Sequence, residues 1–128
     1  MGSPPLILIA DDDDLLRELL EYKLGARGYS VASAADGMAA YNASKKLQPA
    51  LIVLDAMMPE LDGFTLLRRL KAEGMLQHTH VIMLTARRME ADIVGAFNSG
   101  ATDYLQKPFR PEELMSRIAR LVPLGPES

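Results

Sequence analysis

Apolar residues along this chain alternate between short unbroken runs and stretches that repeat at helical spacing. That alternation predicts strands interleaved with helices around a mostly parallel sheet, in five cycles. Leu6 to Ala10 is the first run. Four aspartates follow it, Asp11 to Asp14, and then Leu16, Leu19, Leu20 and Leu24 at helical spacing, with Gly28 as a left-handed cap. Tyr29 to Ala34, only partly alternating, predicts a weaker second strand; Asp36-Gly37 then turns into a helix carrying Met38, Ala39 and Tyr41, which Pro49 stops. Ala50 to Leu54 is apolar throughout, as a strand covered on both faces requires, and is expected at the centre of the sheet. A loop through Pro59 and Gly63 leads to a helix bearing Leu66, Leu67 and Leu70, and Val81 to Leu84 predicts the fourth strand, ended by Thr85. A helix around Ile93, Val94 and Phe97, capped near Gly100, precedes a last strand from Asp103 to Gln106. The final helix opens near Pro111 and places Leu114, Ile118 and Leu121 on one face.

Open α/β sheets bind ligands beyond the carboxyl ends of their strands, and the polar residues gather there. Asp11 and Asp12 follow strand one, Asp55 ends strand three, Thr85 ends strand four and Lys107 follows strand five. Carboxylates so close repel one another, and a fold accommodates them where solvent, a metal ion or a cationic side chain offsets the charge. Three carboxylates within mutual reach make a hard-oxygen site, and the lack of Cys and of a nearby His favours magnesium over zinc or copper. A carboxylate is also a competent nucleophile in phosphoryl transfer, forming an acyl phosphate. The metal, Lys107 and the Thr85 hydroxyl would then share the charge on the transferred oxygens.

Composition narrows the classes. The 128 residues suit one domain with a real core, and the absence of cysteine removes a disulfide framework and a thiol nucleophile while agreeing with a reducing cytoplasm. A formal charge of -3 without a basic run argues against direct nucleic-acid binding, and no apolar stretch approaches the roughly 20 residues of a spanning helix. The chain is expected to be soluble and cytoplasmic. Met1-Gly2-Ser3 resembles a cloning remnant, residues 4–122 the domain, and 123–128, with Pro123, Gly125 and Pro126, a linker-like tail beyond which an effector domain is open.

In combination, these residues resemble the receiver domains of two-component response regulators, from about Leu6 to Leu121. The markers are the acidic pair after strand one, the stretch from Asp55 through Met57, Met58 and Pro59 to Gly63, the pair Thr85-Ala86, and the stretch from Gly100 through Tyr104 and Lys107-Pro108 to Phe109. The resemblance implies a flavodoxin-like, doubly wound five-stranded parallel sheet of order 2-1-3-4-5 flanked by five helices. It makes Asp55 the acceptor of a phosphoryl group from a histidine kinase or phosphotransfer protein. Magnesium would be held by the carboxylates of Asp12 and Asp55, the backbone carbonyl of Met57, and Asp11 through water. Lys107 would pair with Asp55 and then with the phosphoryl oxygens, Thr85 would move toward the phosphate, and Tyr104 would turn into the vacated space. The Lys107-Pro108 bond is expected to be cis.

Blander roles remain beside these. Asp13 and Asp14 suit the first turn of a helix, where acidic residues cap exposed amides and complement the helix dipole. Met57, Met58, Met83 and Met89 suit gaps in the core or loops, and His78 and His80 a solvated loop before strand four. Arg87 occupies a position that is often acidic or polar in the family, where a cation would act on the lifetime of the acyl phosphate. The fourth helix, last strand and final helix form the usual output face, and Asp103, Glu113 and Arg117 match charged positions used there for homodimers of winged-helix transcription factors. Ile93 stands where those regulators usually have a basic residue, so a homodimer and a different, more apolar partner both remain open. Two rival functions also remain: a scaffold that does not use phosphorylation, and a magnesium-dependent phosphatase. Against the phosphatase, Met57 occupies the position of its usual second aspartate.

Overall fold

The computed structural model describes residues 3–86 and 100–124. Five strands, β1 (Leu6–Ala10), β2 (Ser30–Ala34), β3 (Leu51–Asp55), β4 (His80–Thr85) and β5 (Asp103–Gln106), form one sheet of order β2-β1-β3-β4-β5. Every pairing is parallel, so all five carboxyl ends lie at the same edge. The helices are α1 (Asp14–Arg27), α2 (Gly37–Leu47), α3 (Gly63–Ala72) and α4 (Pro111–Leu121), with a 3-10 turn at Met75–Gln77. The expected sheet and its order are present, with four α-helices among the described residues. The helix anticipated around Ile93, Val94 and Phe97, together with Arg87 and Met89, lies outside those residues.

Strand residues alternate between two apolar layers, as a pleat with period two requires. Leu8, Ile52, Leu54, Val81 and Met83 face α2 and α3 through Ala40, Tyr41, Leu66, Leu67 and Leu70. Ile7, Ile9, Leu51, Val53, Ile82 and Leu84 face α1 and α4 through Leu20, Leu24, Leu114, Met115 and Ile118. β3 is buried along its whole length, which is why its sequence shows no alternation. Gly28, at φ 109, ends α1 as expected.

Three expectations need correcting. Leu19 is not core: α1 carries more leucines than one face can bury, and Leu19 is 40% exposed while Leu20 and Leu24 are fully enclosed. In α2 the inner face is Gly37, Ala40, Tyr41 and Ser44, not Met38 and Ala39. Ser44 is tolerated there because its hydroxyl donates to the Ala40 carbonyl of its own helix at 2.7 Å. His80 opens β4 instead of lying in the loop before it.

Two glycines pack the loop after β3 against its surroundings. A Cβ on Gly63 would lie 2.3 Å from the Asp55 carbonyl oxygen, and one on Gly37 would lie 1.8 Å from that of Leu61. The amides of Gly63 and Gly37 donate to the carbonyls of Ala56 and Pro59 at 3.0 and 3.3 Å. The segment from Asp55 to Gly63 is therefore held at both ends by backbone contacts that side chains would block.

Candidate functional site

β1 lies between β2 and β3, so the chain changes direction across the sheet at the β1/β3 boundary, where an open α/β sheet leaves a crevice. Asp11 and Asp12 leave β1 on one side of it and Asp55 ends β3 on the other. Oxygen atoms of all three carboxylates lie within 4.8 Å of one another. Asp11 is fully buried and Asp55 is 5% exposed, whereas Asp12 faces solvent. Lys107, immediately after β5, spans the cluster: its Nζ donates to Asp11 Oδ2 at 2.9 Å and stands 3.6 Å from Asp55 Oδ2. The expected pairing of Lys107 with Asp55 is thus present as the longer of two contacts. The peptide bond to Pro108 is cis.

The other carboxylate oxygens of Asp11 and Asp55 are held by backbone amides. Asp55 Oδ1 accepts from the Met57 amide at 3.1 Å, and Asp11 Oδ1 accepts from the Asp13 amide at 2.9 Å. Asp13 itself caps α1, accepting from the amides of Leu15 and Leu16, and Asp14 lies in the first turn. Asp11 and Asp12 thus stand beside Asp55, one buried and one exposed, whereas Asp13 and Asp14 begin the helix. Met57 meets the site through its backbone, its side chain being 55% exposed.

The pKa of Asp55 is pushed up to about 6, first by burial and then by repulsion from Asp11, against the opposing Met57 amide and Lys107, with Asp12 adding to the rise. For Lys107, burial works against the charge, but its hydrogen bond to Asp11 and the fields of Asp55 and Asp11 prevail and raise its pKa. The pair is thus unequal: the lysine is pulled up, yet Asp55 is not pulled down. One ammonium serves two enclosed carboxylates and sits closer to Asp11, leaving negative charge at Asp55 only partly offset. Hard oxygen donors converging on uncompensated negative charge suit a small divalent cation such as magnesium.

Thr85 ends β4 and is 1% exposed. Its Oγ1 has no hydrogen-bond partner among the described residues, and neither has the buried Nε2 of Gln106, the residue opposite it on β5. Tyr104 is half-buried on β5 and packs against the α2/α3 layer. Its carbonyl accepts from Arg117 at 2.8 Å, and Arg117 also binds Asp103 and Glu113, each at 3.1 Å. His80 lies at the other end of β4, 3.3 Å from Thr102 Oγ1, far from the acidic edge.

The sequence did not single out Arg17 or Gln106. Arg17 donates to the Asp11 carbonyl at 2.8 Å and pairs with Asp14, fixing the chain as it leaves β1. Its spacing of three from Asp14 signalled the ion pair but not the carbonyl contact. Gln106 carried no signal beyond a polar residue in a strand.

A parallel sheet of this order, with clustered aspartates and a lysine at its carboxyl edge, defines a class. The model of the response regulator receiver domain matches residues 7–119, and the chain belongs to that family. Among particular relatives, it is 42% identical over 118 residues to the DNA-binding dual master transcriptional regulator RpaA of Synechocystis, covering 92% of this chain and 49% of RpaA. It is 40% identical over 116 residues to the DNA-binding response regulator MtrA of Mycobacterium leprae, covering 90% of this chain and 50% of MtrA. The chain spans about half the length of these curated relatives. Among solved structures, the Francisella response regulator 1452 receiver domain superposes with a TM-score of 0.85 at 35% identity, covering 92% of this chain and 96% of that one. Family membership makes the chain a phosphorylation-activated switch of two-component signalling.

Proposed function

We propose that Asp55 is the residue phosphorylated, that the donor is a phosphohistidine on a kinase or phosphotransfer protein, and that magnesium is the required cation. The observation that carries this reading is the convergence of Asp11, Asp12, Asp55 and Lys107 on one crevice at the carboxyl edge of the sheet. A carboxylate oxygen of Asp55 attacks phosphorus as the phosphorus–nitrogen bond of the donor breaks, and the imidazole keeps the electron pair. Without a cation, burial and the neighbouring Asp11 hold the pKa of Asp55 up at about 6, and a cation bound beside it would favour the ionised form that attacks. The Met57 amide fixes the rotation of the carboxylate by holding Oδ1. Lys107, on the Oδ2 side, supplies charge to the incoming oxygens, and Thr85 supplies a hydroxyl that moves toward them. Asp12, Asp55, the Met57 carbonyl and, through water, Asp11 would hold the cation. When bound, it neutralises charge that builds on the transferred group.

In this reading residues 4–122 make up the receiver, which turns over no separate metabolite and acts in the cytoplasm; no helix among the described residues is long and apolar enough to cross a membrane. Tyr104 follows Thr85 inward, and the changed β5–α4 face exchanges partners by a population shift. That partner is an effector segment, as the DNA-binding relatives suggest, or a second copy of the chain. Asp103, Arg117 and Glu113 are already joined within one chain, so a dimer using them must exchange these bonds. Sedimentation with and without beryllofluoride separates the two outputs.

Incubation with acetyl phosphate and magnesium, followed by intact mass, tests the central claim. One added phosphoryl group, lost in Asp55→Asn, is expected. No adduct would favour a scaffold, and turnover of phosphate esters a phosphatase.

A further inference from the structure

Buried polar atoms in folded proteins nearly always have partners, so each exception calls for a reason. Two exceptions occur among the side chains of the described residues, Thr85 Oγ1 and Gln106 Nε2, and they belong to residues paired across neighbouring strands. Thr85 pairs with Gln106 in the register of β4 and β5, where adjacent strands run roughly 4.8 Å apart. Both lie on one face of the sheet, since Met83 and Tyr104, two residues earlier on each strand, pack in the α2/α3 layer. Gln106 also directly precedes Lys107, which spans the acidic site.

The chemistry of the two groups is complementary. A hydroxyl donates one hydrogen bond and accepts others, while an amide Nε2 only donates. A threonine that gives its proton to a phosphoryl oxygen keeps lone pairs free, and a buried amide beside it can fill one. We propose that Gln106 is a positioning residue for Thr85: once Asp55 carries the phosphoryl group, the Gln106 amide donates to Thr85 Oγ1 while the Thr85 hydroxyl donates to a phosphoryl oxygen. Both orphaned atoms then acquire partners together, and only in the phosphorylated state. The penalty of leaving them unpaired falls on the resting state, so the pair tilts the equilibrium toward the active one. Bonds that form a chain also strengthen one another, which favours a single orientation of the hydroxyl.

This inference rests on Asp55 as phosphoacceptor, and its test separates the two claims. Beryllofluoride affinity with magnesium present is measured by fluorine NMR for the unaltered chain, Gln106→Met, Thr85→Val and the double variant. Methionine keeps the length of glutamine and removes the donor. Gln106→Met is expected to weaken beryllofluoride binding roughly fivefold, the worth of one neutral hydrogen bond, and to leave magnesium affinity unchanged. In the Thr85→Val background the same substitution is expected to change nothing, because the acceptor is already gone. An equal effect in both backgrounds, or none in either, overturns the role of Gln106 and leaves Asp55 untouched. Failure of the unaltered chain to bind beryllofluoride overturns the phosphoacceptor reading itself, and this inference with it. If Gln106→Met melts well below the parent, Gln106→Asn, which keeps the amide but withdraws it by one methylene, is expected to show the same dependence on Thr85.

Discussion

Lys107 donates to Asp11 at 2.9 Å and stands 3.6 Å from Asp55, so the lysine at this site leans toward the buried carboxylate and not toward the one that ends β3. Asp11 has no exposure at all, and removing its cation leaves an enclosed charge with only backbone partners. Lys107→Met is expected to cost about 1–2 kcal/mol in metal-free buffer, a value held down because the lysine is one-third exposed and screened. Magnesium should recover part of that loss. Urea denaturation in chelator and in magnesium measures both, and equal losses in the two would contradict the shared-charge account.

The pH dependence follows from Asp55. Its folded pKa of about 6 lies above the ordinary value, so the folded state binds the proton more tightly than the unfolded state does. The stability linked to that proton is present at pH below the unfolded value, near 4, and is lost as pH rises to about 6. In metal-free buffer Asp55→Asn should therefore be more stable than the parent by about 3 kcal/mol at pH 7.5 and little different at pH 4. Parallel urea curves at the two values test this.

Much of the fold could be read from the chain because the signals were local. β3 declared itself by an unbroken apolar run, and α3 by Leu66, Leu67 and Leu70, all fully enclosed. The site was legible because parallel strands carry residues distant in sequence to one edge, and the polar residues at strand ends were few. What escaped depended on packing. Apart from Tyr41, small residues line the inner face of α2, and a hydrophobic pattern does not register Gly37 or Ser44. The division of Lys107 between two carboxylates depends on distances of tenths of an ångström across a separation of 96 positions from Asp11. Burial of the Gln106 amide likewise follows from tertiary structure alone.

Asp12 is the exposed member of the acidic cluster, and this separates metal binding from folding. An exposed carboxylate contributes little to stability, so Asp12→Ala is expected to stay within about 0.5 kcal/mol of the parent in metal-free buffer. Its loss should nevertheless reduce magnesium affinity by roughly tenfold or more, since it removes a charged oxygen ligand from a site with few. Titration calorimetry with magnesium and thermal melting in chelator give the two quantities. A large stability loss with unchanged affinity would show that Asp12 supports the fold rather than the cation.

Gly63 tests whether the position of Asp55 depends on the close approach of α3 to the end of β3. A methyl group there would fall 2.3 Å from the Asp55 carbonyl oxygen and 2.8 Å from the Ala56 Cα, distances that no side-chain adjustment relieves because both atoms are backbone. Gly63→Ala must displace either the first turn of α3 or the chain just after Asp55. The expected cost is about 2–3 kcal/mol, in the range of overpacked interiors. Displacement should also misplace the Met57 amide, which holds Asp55 Oδ1, so phosphorylation by acetyl phosphate should slow even where the variant remains folded. Gly74→Ala serves as the control, since a Cβ there meets nothing within 4 Å. Its φ of 77 still brings backbone strain, of order 1 kcal/mol, but the site lies elsewhere. Loss of stability in both variants, with slower phosphorylation only in Gly63→Ala, is the expected pattern; equal phosphorylation rates would mean that α3 does not position Asp55.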